Sequence, residues 1–211
     1  MQSHDAIERS APDGSFQDWM PQSIRSASKV LTLQAGDNLF WQGSTAIGFY
    51  EVLSGRMRMG RPTITGQHVS LYVAHAGDFL AEASLFSDVY HCDATALVPS
   101  EVRLYPKGAV LAEFDRRGDF ATAFTAMISR SLIAVRVRNE RLMLHSARDR
   151  IRHFLILKAD DDSTVTISGP LKDLATELGL SHEVLYRTLA RMVSDGEIER
   201  SDNAIRLLNP A

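Results

Sequence analysis

Between Lys29 and Lys107 apolar and polar positions alternate in short runs that glycines cut off. Val30-Leu31-Thr32-Leu33 ends at Ala35-Gly36-Asp37, and Gly48-Phe49-Tyr50-Glu51-Val52-Leu53 ends at Ser54-Gly55. Arg56-Met57-Arg58-Met59 ends at Gly60, and His68-Val69-Ser70-Leu71-Tyr72-Val73 ends at Ala76-Gly77-Asp78. A period of two with turn signals at this spacing predicts an antiparallel all-β unit, in the form of a jelly-roll or β-roll. After Pro106 the period becomes helical. From about Phe120 to Leu144 neither Gly nor Pro interrupts it, and Ala121, Thr125, Ile128, Leu132, Val135, Asn139 and Leu142 recur in alternating steps of four and three. Such a seam predicts a long helix paired in parallel with a second copy of itself, and Asn139 at an a-type position would fix the register. Ile133, Val137 and Leu144 form a second stripe, expected to lie on the roll.

Beyond a hinge expected at His145-Ser146, Ser146 is placed to start a helix over Ala147 to Lys158, and Val165 to Ile167 reads as a strand. The stretch Leu171 to Met192 reads as two short helices around a tight turn at Gly179-Leu180, with Ser181 capping the second. With Leu185 at zero on a helical wheel, Leu189 and Met192 fall within about 40° of it, and Glu183 and Arg187 lie near the opposite pole. One face is therefore core, and the other offers a carboxylate and a guanidinium one turn apart. That pair suits a helix in the DNA major groove, because Arg binds guanine O6 and N7 bidentately and Glu accepts from cytosine N4. Any surface helix can show such a pair. The preceding helix, the glycine turn and the following strand at Gly196 to Arg200 shift the reading toward DNA, and Ile198 to Arg200 with Ala204 to Leu208 form the wing.

The chain thus divides into an N-terminal arm with a short helix (1–28), a β-roll (29–118), a dimerisation helix (119–145) and a winged helix-turn-helix (146–211). The fold class is α+β. With 211 residues, 45% of them hydrophobic and 23% charged, two modest cores can be filled. A net charge of −3 makes the whole molecule no polycation, so DNA affinity has to come from placed residues and from dimerisation. Arginines gather between Arg130 and Arg152 (also Arg136, Arg138, Arg141, Arg148 and Arg150), a run that reads first as a solvated helix face and could also supply phosphate contacts or hold an anionic effector.

A single cysteine, Cys92, permits neither an intrachain disulfide nor an all-cysteine iron-sulfur cluster. The first residues lack the basic start and apolar segment of a signal peptide, and no run of about 18 apolar residues suggests a membrane span. These features predict a cytoplasmic protein without membrane partners. The histidines His68, His75 and His91 are scattered, which disfavours a metal-dependent jelly-roll enzyme. His91 and Cys92 are both chemically able to ligate haem iron, but neighbours in a strand point to opposite faces. No cofactor is expected on these grounds. A ligand-binding regulatory subunit acting on a protein partner is the rival that would bind no DNA.

The residues LKDLATELGLSHEVLYRTLARMVSDGEIERSDNAIRLL resemble the winged helix-turn-helix of the cyclic-AMP receptor protein/fumarate-nitrate-reduction regulator (CRP/FNR) family. AGDNLFWQG, GFYEVLSGRMRM and AGDFLAEASLF are similar to its sensory, cyclic-nucleotide-binding-like roll. The resemblance implies base reading by Glu183 and Arg187, with Ser181, His182 and Tyr186 contacting DNA or tuning preference. It also implies a homodimer on a palindromic promoter site, an effector in the roll, and contact with RNA polymerase if the protein activates. The effector pocket maps onto Glu82, Cys92 and Asp93. Ala81 stands where cyclic-nucleotide binders carry Gly, and Cys92-Asp93 where they carry the Arg and Ser or Thr of the phosphate clamp. Loss of that cation and a carboxylate beside the site predict that the small-molecule effector is not cyclic AMP. Arg136, on the long helix, is the residue that could restore the missing charge.

Overall fold

The structure is a computed structural model and describes residues 19–63, 68–167 and 169–208. Most of the expected N-terminal arm lies outside the described residues. The chain forms two compact units that divide at Leu132 and Ile133, inside the long helix.

The first unit contains α1 (Gln22–Ala27) and two four-stranded antiparallel sheets. One has the order β1 (Lys29–Leu33), β8 (Ser100–Pro106), β3 (Gly48–Ser54), β6 (Phe79–Leu80). The other has the order β2 (Asn38–Phe40), β7 (Asp93–Ala96), β4 (Arg56–Pro62), β5 (His68–His75). The alternation seen in the sequence is real in β4, where Met57 and Met59 are buried while Arg56 and Arg58 face outward. In β3 it fails. Tyr50 and Val52 join the core between the sheets, and Phe49 enters a second core with Tyr105, Leu85 and Val110 on the other side. A central strand covered on both faces reads as a continuous apolar run.

That second core is roofed by helices. Met20 and Ile24 at α1, Val110 of α2 (Lys107–Arg116), and Phe120, Phe124 and Met127 of α3 (Gly118–Met143) fill it. The face of α3 in this core is therefore Phe120, Phe124 and Met127, ahead of the stripe expected at Ile133, Val137 and Leu144, which falls in the second unit. By length and composition alone α3 is apolar enough to cross a membrane. Its Phe120 face is instead occupied by the roll's own core.

The second unit continues from Ile133 through α4 (Ala147–Lys158), β9 (Thr164–Thr166), α5 (Leu171–Glu177), α6 (His182–Ser194), β10 (Ile198–Arg200) and β11 (Ala204–Leu207). Its three strands form one antiparallel sheet in the order β10-β11-β9. Ile151, Phe154, Leu155, Leu174, Leu178, Leu185, Leu189 and Met192 pack into one core under that sheet. Ser146 starts α4 as expected, its Oγ accepting from the Asp149 N–H at 3.0 Å.

The joint at His145-Ser146 is braced. Arg150 Nε donates to the Leu144 carbonyl at 2.9 Å and its Nη1 to the Gly179 carbonyl at 3.2 Å. Arg141 is buried, with its guanidinium carbon 5.0 Å from the Phe154 ring centre and its Nη1 3.4 Å from Glu177 Oε1. The end of α3 is thereby fastened to the helix-turn-helix within the second unit, which begins at Ile133.

Candidate nucleic-acid interface and sensor pocket

The turn between α5 and α6 sets the interface. Gly179 has φ +62, a left-handed conformation that a side chain disfavours, and it reverses the chain within a few residues. Ser181 Oγ then accepts from the Val184 N–H at 3.2 Å and starts α6. Its hydroxyl therefore works as a helix cap. Leu185, Leu189 and Met192 are fully buried, which forces the opposite face of α6 outward. On that face the Glu183 and Arg187 side chains are 85% and 69% exposed and form an ion pair at 3.4 Å. An exposed i, i+4 pair is worth only about 0.3–0.5 kcal/mol. Both side chains can part to meet base edges at little cost.

His182 and Tyr186 lie on the neighbouring flank of α6. Their ring centres are 4.4 Å apart, and the Arg200 guanidinium reaches over the Tyr186 ring from the end of β10. Arg200 escaped the sequence reading because only the pairing of β10 with β11 brings the wing back beside α6. The arginine-rich stretch turns out to be structural where its partners are visible. Arg148 pairs with Asp195 and Glu197, Arg152 with Glu197 at 2.8 Å, and Arg141 and Arg150 brace the hinge. Those four guanidiniums have partners within the domain, so this part of the run is more than a solvated helix face.

In the roll, Glu82 opens a 3-10 turn (Glu82–Phe86) directly after Ala81, whose φ of +61 is left-handed. The backbone requirement explains why a glycine would suit that position. Burial pushes the Glu82 carboxyl above its ordinary range. Burial also pushes the Cys92 thiol up, with Asp93 and Glu82 adding to the rise and Arg61 opposing it. Asp93 and Glu82 are thus electrostatic neighbours of Cys92. Asp93, however, is buried and accepts the Gln42 N–H at 2.7 Å, so its carboxylate is engaged by backbone and is no bare repulsive charge. Arg61 was missed in the sequence. It joins the group because Gly60 pairs with Asp93 across β4 and β7, and its Nε donates to the His91 carbonyl at 2.8 Å. Cys92 lies in a bend just before β7, half-buried against the core, while His91 is exposed. Arg136 belongs to the second unit, where it is exposed. Among the described residues no group of three or more His, Cys, Asp or Glu side chains gathers to hold a metal ion.

Residues 30–117 match the model of the cyclic nucleotide-binding domain, and residues 149–211 match that of the Crp-like helix-turn-helix domain. The chain belongs to the CRP/FNR family of transcription regulators. Among curated relatives of this family member, the nitrogen fixation regulation protein FixK of Bradyrhizobium diazoefficiens is 25% identical, over 98% of this chain and 89% of FixK. The cyclic AMP receptor protein of Thermus thermophilus is 23% identical, over 83% of this chain and 82% of its own. The solved structure of FixK2 from Bradyrhizobium japonicum shares the fold, with a TM-score of 0.71 at 18% identity, covering 86% of this chain and 93% of that one. The α+β architecture read from sequence is therefore that of the CRP/FNR regulators, which are not enzymes.

Proposed function

We propose that this CRP/FNR regulator works in the cytoplasm as a homodimer that presents two copies of α6 to a two-fold-related DNA site. The observation that carries the reading is the outward pair Glu183 and Arg187 on a helix whose opposite face is wholly buried. Dimerisation is supported by α3. Leu132 and Val135 are 50% and 63% exposed, which leaves an apolar seam uncovered in a single chain. Asn139 is exposed in the same seam, whereas Ile128 is partly taken up by the roll's outer core and Leu142 by Gly179. The seam offered to a second copy accordingly centres on Leu132, Val135 and Asn139.

Selection of duplexes from a random pool, followed by footprinting, tests the reading. The expected result is two protected half-sites about one helical turn apart. No enrichment of any duplex would favour a regulatory subunit acting on a protein partner. Charging Leu132 and Val135 to Glu should give folded monomers by light scattering that no longer bind the selected site. A dimer that survives the change would place the interface elsewhere.

For the signal, the reading is a small-molecule effector in the roll other than cyclic AMP, without a bound cofactor. Cys92 supplies no cation, and the nearby Arg61 has its Nε turned to the His91 carbonyl. Calorimetry with cyclic AMP should show no binding. Micromolar binding lost in Arg136→Ala would restore the cyclic nucleotide, and a Soret band lost in Cys92→Ser or His91→Ala would instead establish haem. A promoter on which the dimer activates would also require contact with RNA polymerase.

A further inference from the structure

At the end of β10 the Arg200 guanidinium carbon lies 5.3 Å from the centre of the Tyr186 ring. On the same helix the His182 ring is 4.4 Å from that ring and tilted 58° to it. All three residues are exposed, so the stack does not serve to fill a core. It spans a groove of about 290 Å³ between α6 and the wing, lined in part by Lys172, His182, Tyr186, Arg200, Ser201 and Asp202. Among the described residues lining it, Asp202 is the acid set against the cations Lys172 and Arg200. Arg200 has no carboxylate at ion-pair distance among the described residues, and its strand neighbour Glu199 turns to Arg206 at 3.6 Å.

A guanidinium held over a ring by cation–π attraction engages the ring face with its charge and keeps N–H donors to spare. Those donors can meet an anion, with the side chain's rotamer freedom already reduced before any partner arrives. Phosphate oxygens are the anions that a DNA duplex presents beside its grooves, and Arg matches them bidentately. We infer that Arg200 is a DNA-phosphate contact of the wing and that Tyr186 is its positioning residue, holding the guanidinium over this groove instead of reading a base. The assignment rests on the DNA-binding reading above and adds to it two residues with a role separate from that of Glu183 and Arg187. It also explains why a large aromatic stands on the recognition helix at a position turned toward the wing.

The test uses the full-length protein on duplexes that the wild type selects from a random pool, with the dissociation constant measured across salt concentrations. Arg200→Gln should weaken binding by a similar factor on all selected sequences and lower the salt slope by about 0.9 for each half-site occupied. Tyr186→Leu should reproduce much of that loss with base preference unchanged. Tyr186→Phe, which keeps the ring face, should restore it. The double change Arg200→Gln with Tyr186→Leu should bind no worse than Arg200→Gln alone. An unchanged salt slope in Arg200→Gln overturns the phosphate contact. A Tyr186→Phe protein as impaired as Tyr186→Leu, or an altered base preference in Tyr186→Leu, overturns the positioning role. A wild type that selects no duplex at all overturns the DNA-binding reading itself, an outcome distinct from either of these.

Discussion

Leu142, near the end of the long helix, lies directly over Gly179 in the helix-turn-helix turn. A Cβ built on Gly179 would stand 2.7 Å from Leu142 Cδ2 and 3.3 Å from Arg150 Nη1. The turn and the end of α3 are thus in contact through the one residue type that leaves room for it, and at a backbone φ of +62 that suits the same residue. Gly179→Ala should destabilise the protein by about 1–3 kcal/mol, from the left-handed backbone and the crowding together. Urea unfolding of Gly179→Ala, Leu142→Ala and the double variant checks this. The double variant should be more stable than the sum of the two losses allows, by about 0.5 kcal/mol or more. Strict additivity would mean that the contact does not couple the two residues.

Ala81 offers the opposite experiment. It is held at φ +61 just before Glu82, a conformation that costs a residue with a Cβ about 1–2 kcal/mol. Ala81→Gly relieves that strain but gives the unfolded chain more freedom, an offset of about 0.5–1 kcal/mol. The net expectation is a gain of about 0.5–1 kcal/mol in urea unfolding. A loss of stability would show that Ala81 makes contacts worth more than its strain.

The roll should also be sensitive to alkali. The Tyr50 hydroxyl is 3.1 Å from that of Tyr90, which donates to the Gly48 carbonyl at 3.1 Å. Burial first, and then the Tyr90 hydroxyl, pushes the Tyr50 phenol far above its ordinary range. Burial and the Glu51 carboxylate, which accepts the Tyr105 hydroxyl at 2.6 Å, do the same for Tyr105. Above pH ~10 the unfolded chain loses these protons while the folded chain keeps them. The folded state then binds more protons, so stability falls as pH rises, by about 1.4 kcal/mol per pH unit for each phenol held protonated. Urea midpoints measured on either side of pH ~10 should show this fall. Tyr50→Phe should make it shallower, and an unchanged slope would remove Tyr50 from the account.

Base reading separates Arg187 from Glu183. Both are exposed and their mutual ion pair is weak, so each substitution reports contacts with DNA more than lost stability. Arg187→Ala should cost about 1–3 kcal/mol per half-site and relax preference at a guanine. Glu183→Ala should mainly loosen discrimination at a cytosine. Competition among single-base variants of the selected site reads both. A uniform loss across all variants would mark the residue as structural.

Local pattern determined a good deal of this protein. The core face of α6, its Ser181 cap, the glycine turn before it and the in-out alternation of β4 are all set within a few residues, where helical or strand geometry links spacing to direction. They were therefore legible without any knowledge of what packs where. The partners of charged side chains were not. Arg141, Arg148, Arg150 and Arg152 look like a solvated basic run in the sequence, and only closure of α4 onto the α5–α6 turn and the wing turned them into internal braces. The same holds for Asp93, which meets the Gln42 N–H only once β2 and β7 pair, and for Arg61, brought beside Cys92 by the β4–β7 pairing. β3 lost its alternation because helices cover its outer face, a fact of layering that no strand encodes by itself. Arg200 came to lie over Tyr186 only when β10 and β11 folded the wing back beside α6. Periodicity is a property of neighbours along the chain and so is written in the sequence, whereas the pairing of charges depends on which distant segments the two cores bring together.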